Sequence, residues 1–360
     1  MTLPHLLTPL TLRSVTARNR IAVSPMCQYS ARDGLGDDWH VQHLGARAMG
    51  GAGIVFAEAT SVTDDGRITP GCLGLYDDAQ EAFLTRVTKL IEYGGAVPAI
   101  QLAHAGRKAG TVPPWDGARS LTEEEGAWET YAPSAIPFGE GYATPTAFTA
   151  SAITRVIEAF AAGAARAARA GFRIVELHAA HGYLGHEFLS PIANRRTDGW
   201  GGDLAGRSRF LMETVEAVRG VWPEELPLFV RLSCTDWMAG GLTIEDTVNV
   251  ARRLQETGKV DLVDASSGGI LAKGPVIPSL HPGYQVPFAE AIRHQAGIAS
   301  AAVGLITGAH HADEIIANGR ADLVMVGRAV LADPAWPLRV AKALGGAIAV
   351  PRQYGRATLT

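Results

Sequence analysis

Cysteine is scarce in this chain: Cys27, Cys72 and Cys234 are the only three among 360 residues. Their odd number and wide spacing fit neither a disulfide framework nor a CxxC metal pair, so a reducing, cytoplasmic setting is expected. Long apolar runs are also missing. Nothing approaches the roughly 18 unbroken apolar residues of a membrane span, and the opening MTLPHLLTPLTLRSV lacks a basic region leading into an apolar core. A surplus of positive charge is absent too: the formal net charge is −4, which leaves no basic field to hold nucleic acid or an anionic membrane. Low-complexity tracts, tandem repeats and linkers do not interrupt the chain, so residues 1–360 are read as a single domain. With 47% hydrophobic and 19% charged residues, a sizeable core is available and disorder is excluded.

What is present is a rhythm. Short β-rich runs alternate with amphipathic or Ala-rich stretches: RIAVSPM, AGIVFAEAT, AVPAIQL, FRIVELH, PLFVRLS, VDLVDAS, ASAAVGLIT and ADLVMVGRA each precede a helical pattern. Eight near-continuous apolar strands suit an α/β fold of the (βα)8 TIM-barrel type, with a doubly wound open sheet as the alternative. The alternating start LLTPLTLRSVTARN predicts an N-terminal β-hairpin plugging the barrel floor. After strand three, residues 104–149 are rich in Gly and Pro and lack periodicity, which predicts a lid over the active-site end. A helix capped by Ser151 and closed by Gly171 should follow.

Barrel enzymes place their chemistry at the C-terminal ends of the strands, and polar residues gather there. Gly304 and Gly327 close strands seven and eight, the second followed by Arg328; glycine lets backbone N–H groups approach a phosphate. Gln101 and Arg231 end strands three and five, where they can bond a heteroaromatic ring, or Arg231 can instead pair internally with Glu58 or Glu176. Cys27, just past strand one, is either a reactive thiol or a small core residue.

The densest cluster is VELHAAHGYLGHEFLSP, residues 175–191. Glu176 shares strand parity with His178 and should face the barrel interior. His178, His181 and Tyr183 can converge at the barrel mouth. A zinc hydrolase would need a third protein ligand from His40, His43, His104 or His186, and HAAHG is not HExxH. Alternatively, two imidazole N–H donors stabilise an enolate oxygen while the phenol moves a proton, an arrangement suited to hydride chemistry on a conjugated carbonyl. A planar redox ring, a phosphate tail and an oxyanion clamp together point to FMN. A non-catalytic flavin-binding barrel uses the same residues. His186 is read as structural.

The motifs SPMCQY, QLAHAGRK, ELHAAHGYLGHEFLSPIANRRTDGWGG and SSGG…PGYQVPFAE, in this order, resemble the Old Yellow Enzyme family of flavin ene-reductases, in its thermophilic-like branch. The resemblance runs from Asn19 to Arg356. It implies that Ser24, Pro25, Met26 and Cys27 line the flavin, with Cys27 tuning its potential. Ala59, Gln101 and Arg231 would hold the ring, and Gly304, Gly327 and Arg328 the phosphate. His178 and His181 would bind the substrate carbonyl, Tyr183 would donate the proton, Tyr29 would add a hydrogen bond, and Lys108 would border the flavin pocket. NADPH, or NADH, would be the reductant in a ping-pong cycle that reduces enones, maleimides or nitroalkenes. Residues 345–360 would reach a neighbouring subunit, with Arg356 entering its site and Tyr354 beside it, in a homodimer or homotetramer. Related barrels that carry an iron–sulfur cluster are set apart by the three scattered cysteines here.

Overall fold

The computed structural model, which describes residues 3–274, 277 and 279–356, closes eight parallel strands into a barrel in the order in which they occur along the chain. They are β1 (Ile21–Val23), β2 (Ile54–Ser61), β3 (Val97–Ala103), β4 (Ile174–Ala179), β5 (Leu228–Ser233), β6 (Leu262–Ser266), β7 (Ala299–Ala302) and β8 (Leu323–Val326). Pairing of Val324 with Ile21 and of Val326 with Val23 closes the ring and excludes the open doubly wound sheet. The fold is therefore the (βα)8 barrel read from the β-then-α rhythm.

The strands are apolar on both faces because one face fills the barrel and the other meets the helices. β2 is buried at every position. Ile54, Phe56, Ile174, Phe229, Leu262 and Met325 fill the barrel's lower interior. The hairpin, Leu10–Leu12 paired with Val15–Ala17, adds Leu10 and Ala17 to this cluster and so plugs the floor as expected. One pleat further up, the same inward faces turn polar, with Gln101, Glu176, Arg231 and Asp264 all buried. Register sets Gln101 against Glu176 and Arg231 against Asp264. A dry floor thus supports a polar ceiling beneath the barrel mouth.

Residues 104–149 form three short 3₁₀ turns and a small strand pair, Tyr131–Ala132 with Thr146–Ala147. Arg107 anchors the start of this segment. Its backbone N–H donates to Glu187 Oε1 at 2.9 Å and its Nη2 to the Ile270 carbonyl at 2.5 Å. The helix that follows, Ala150–Arg169, buries Ile153, Val156, Ile157, Phe160 and Ala164 at helical spacing. Its N-cap is Thr149, not Ser151: the Thr149 hydroxyl accepts from the Ala152 N–H at 3.2 Å. Ser151 already lies inside the first turn, bonded to Thr149 through its own hydroxyl. Gly171 closes the helix with φ +92°. No helix among the described residues is long and apolar enough to cross a membrane.

Candidate active site

β4 delivers His178 to the barrel mouth, and the chain then turns sharply through His181 (φ +58°) and Gly182 (φ +74°). A Cβ on Gly182 would lie 1.9 Å from the Gly269 carbonyl oxygen. Only glycine permits this approach, so HAAHG is pressed backbone to backbone against SSGG. The left-handed backbone at His181, unusual for a residue with a side chain, is held from both ends. Its N–H donates to Ser233 Oγ at 2.8 Å, and Ser233 in turn donates to the Gly268 carbonyl at 2.9 Å. Its ring Nε2 lies 2.6 Å from Ser266 Oγ. His186 pins the same turn: its Nδ1 accepts from the Gly182 N–H at 2.8 Å and its Nε2 sits 3.0 Å from Asp236 Oδ1.

His178, His181 and Tyr183 come together as read, with the His178 ring centroid 5.2 Å from that of His181 and 5.0 Å from that of Tyr183. Burial, and after it the charge of Arg231, pushes both imidazoles well below their ordinary pKa. Both rings are therefore neutral at pH 7. The His178 Nδ1 accepts from the Ala180 N–H at 3.3 Å, which leaves the proton on Nε2. At His181 the Ser266 hydroxyl occupies Nε2, with either partner able to donate, and Nδ1 is the remaining ring nitrogen. Burial raises Tyr183 well above the usual phenol range, so it is held as an acid. Lys108 stands beside it: its Nζ is 4.4 Å from the Tyr183 ring centroid and 4.6 Å from that of Phe138, and donates to the His181 carbonyl at 2.8 Å. Burial brings the Lys108 ammonium down to about 8.

A cavity of about 350 Å³ opens over this cluster. Ser24, Pro25, Met26, Cys27, Ala59, Gln101, Arg231, Gly327 and Arg328 line it together with Tyr29, His178, His181 and Tyr183. Gly304 borders an adjoining hollow of about 150 Å³ that shares Val303, Gly327 and Arg328 with the first. The two form one bent trough. Under residues 104–149 a third hollow of about 240 Å³ is walled by Tyr29, Lys108, Phe138, Tyr142 and Tyr183. Trp115 from that segment meets the Tyr29 ring edge-on at 5.5 Å. Arg356 lies apart: it is exposed and lines none of these three hollows. The C-terminal segment instead follows the barrel's outer face, where Tyr354 borders an apolar groove of about 710 Å³ with Val41, Met49, Leu90 and Leu338. Val303, Leu331 and Ser266 went unread in the sequence. Val303 directly precedes Gly304 and could have been found from the same strand end; Ser266, at the end of β6, meets His181 on the turn after β4, a contact that sequence spacing does not show.

The Arg231 pairing resolves differently from either expected partner. Its Nε lies 3.0 Å from Asp264 Oδ2 on the neighbouring strand, while Glu176 accepts from Gln101 Nε2 at 2.8 Å. Burial, then the nearby Asp264 charge, lifts Glu176 well above the ordinary carboxylate range. For all its closeness to Asp264, the buried Arg231 Nε makes no hydrogen bond among the described residues, and the buried Ser24 hydroxyl has none either. Unpaired buried donors are costly, and these face the cavity where a ring with carbonyl and nitrogen acceptors fits. At the other end of the trough Gly304 takes φ +124°, and a Cβ there would crowd Gln285 Nε2 at 3.1 Å. Beside it, Gly327 opens the short helix Arg328–Ala332. Backbone N–H groups and a guanidinium suit an anionic tail. The residues present thus fit FMN. They do not fit zinc: His40 turns to Glu58, His104 accepts from Gly106 and His186 faces Asp236. His43 sits on helix Asp38–Met49, and among the described residues no metal-binding group of three or more His, Cys, Asp or Glu occurs.

Residues 5–345 match the NADH:flavin oxidoreductase / NADH oxidase family. The chain is similar to the NADPH dehydrogenase of Geobacillus thermodenitrificans, 48% identical over 98% of both chains. It is also similar to the NADPH dehydrogenase of Listeria innocua, 46% identical over 96% of this chain and 97% of the other. Among solved structures, morphinone reductase superposes with a TM-score of 0.78 at 28% identity, covering 97% of this chain and 92% of that one. A 2-naphthoyl-CoA reductase superposes with a TM-score of 0.85 at 25% identity over 94% of this chain, which spans only 52% of that longer protein.

Proposed function

The chain belongs to the NADH:flavin oxidoreductase / NADH oxidase family and is an FMN-dependent NAD(P)H oxidoreductase of the Old Yellow Enzyme type, and from that premise we propose that it reduces the activated C=C bond of α,β-unsaturated carbonyls, maleimides or nitroalkenes in a ping-pong cycle driven by NADPH. The observation that carries this reading is the pair of neutral imidazoles beside a protonated phenol in one cavity. A zinc or simple binding role asks for no such trio. FMN, held by the cavity's residues, would supply the hydride chemistry between NADPH and the β-carbon of the alkene that no side chain offers.

The chain's own residues do the rest. Ser24, Pro25, Met26, Cys27, Ala59, Gln101 and Arg231 form the ring's bed, and Gly304, Gly327 and Arg328 the bed for its phosphate. His178 through Nε2–H and His181 through a ring N–H bind the substrate oxygen, and their bonds tighten as negative charge grows there in the transition state. Their neutrality keeps the proton from being passed to the oxygen in the ground state. Tyr183 gives its proton to the α-carbon, and Tyr29 contributes a hydrogen bond from the cavity rim. Residues 104–149 act as a lid that excludes water, with Trp115 resting on Tyr29.

Single-turnover flavin reoxidation by cyclohexenone tests the assignment. His178→Ala and His181→Ala should each slow this half-reaction by roughly 100-fold to 1,000-fold and weaken phenol binding, while reduction by NADPH proceeds. Normal reoxidation in the double variant would remove the clamp.

A further inference from the structure

We propose that Cys27 and Cys72 are a redox pair that peroxide converts to a disulfide at the edge of the cavity. The proposal concerns the same cavity but stands on this chain's own packing, whether or not the alkene reading holds. Cys27 lies just past β1, and Cys72 on the loop after β2, 45 positions away in the sequence. The fold brings these two loops into backbone contact. The Ala31 N–H donates to the Gly71 carbonyl at 2.9 Å. A Cβ on Gly71 would lie 2.5 Å from the Tyr29 carbonyl oxygen, so a glycine is what lets the loops close together. Cys72 forms a small buried cluster with Ile68, Ala105 and Ala109, and Cys27, Tyr29 and Tyr183 pack against it. The side chains of Cys27 and Cys72 thus share one small cluster between the two loops.

The two thiols differ in a useful way. Cys27 lines the main cavity and is partly exposed, whereas Cys72 is fully enclosed behind it. The Thr69 N–H and hydroxyl lie 3.4 Å and 3.5 Å from Cys72 Sγ. Burial pushes the Cys72 thiol up, while the neighbouring Cys27 and the Thr69 contacts draw it down. Its closeness to Cys72, and then burial, push the Cys27 thiol up. The pair therefore has an accessible sulfur to meet an oxidant and an enclosed sulfur behind it to resolve it.

In the first step Cys27 sulfur attacks one oxygen of hydrogen peroxide, the O–O bond breaks, and the thiol proton leaves with the departing oxygen as water, giving the sulfenic acid. In the second, Cys72 sulfur attacks Cys27 sulfur, the S–S bond forms, the S–O bond breaks, and hydroxide leaves with the Cys72 proton as a second water. Two thiols lose two electrons and peroxide is reduced to two waters. The product removes the thiol proton that faces the cavity.

The holoenzyme, freed of reductant, is treated with hydrogen peroxide, alkylated after unfolding, and mapped by intact and peptide mass. The expected result is loss of two hydrogens, a Cys27–Cys72 cross-linked peptide that dithiothreitol releases, and alkylation of Cys234 alone. Cys234 is the internal control, since it is buried at the end of β5 away from this cluster. In Cys72→Ser, Cys27 should instead gain one oxygen that dimedone traps, without loss of hydrogens. The proposal is overturned if the wild-type protein gains oxygen at Cys27 while Cys72 stays fully alkylatable, or if both thiols survive peroxide that oxidises small free thiols. The wild-type measurement decides even where the variant does not fold.

Discussion

If Tyr183 is the proton donor proposed above, Lys108 is placed to assist it, with its Nζ 4.4 Å from the Tyr183 ring centroid. Its ammonium over the Tyr183 ring favours the developing phenolate, so it helps the phenol part with its proton. The charge is present below about pH 8 and lost above it, since burial lowers its pKa to about 8 from 10.5. Proton transfer should accordingly slow as pH rises through about 8, and Lys108→Met should flatten that limb of the single-turnover pH profile. An unchanged inflection in the variant would show that another group titrates. For stability the sign is reversed: the unfolded chain binds the extra proton between about 8 and 10.5, so this lysine's penalty eases as pH rises through that window. The meeting of His178, His181 and Tyr183 was legible because i, i+3 and i+5 spacing past a strand end can turn all three toward the barrel mouth. Lys108 was legible only as a pocket residue. Its contact with Tyr183 depends on how the segment after β3 folds back onto the loop after β4, which spacing does not encode.

At the scale of elements, strand parity carried most of the information. Glu176 was placed inside the barrel from its alternation with His178, and it lies there, fully buried. The partner of Arg231 was not readable, because cross-strand register decides it: Asp264 is its register mate on β6, whereas Glu58 and Glu176 sit on other strands. Helix ends were blurred for a related reason. Thr149 and Ser151 both offer capping hydroxyls, and only the dihedrals select between them; Thr149 is extended at φ −73° and ψ 159°. Thr149→Ala should therefore cost about 1 kcal/mol in denaturant unfolding, and Ser151→Ala less than about 0.5 kcal/mol. Equal losses would contradict the assignment of the cap.

For the whole molecule, the C-terminal residues stand out. Gln353 Nε2 donates to the Tyr93 hydroxyl at 2.8 Å, which ties this segment to the barrel's flank, and Arg356 is exposed and lines none of its own chain's active-site hollows. An arginine that serves catalysis from there serves a neighbouring copy, and a homodimer or a tetramer of dimers is the proposed state. Two differently tagged chains, Arg356→Ala and Tyr183→Phe, should regain activity when co-expressed and purified as a hybrid, because one site then receives both wild-type residues. No gain over the parent variants would mean that Arg356 does not act across subunits.

The central claim is that this barrel mouth holds a flavin and passes its hydride to an activated alkene. The most direct measurement is the visible spectrum of the purified protein under anaerobic conditions. A yellow protein that bleaches with NADPH and regains its colour on addition of one equivalent of cyclohexenone is the predicted result. A colourless protein that takes up no FMN, or bound flavin that stays bleached in the presence of enone, nitroalkene and maleimide alike, would contradict it.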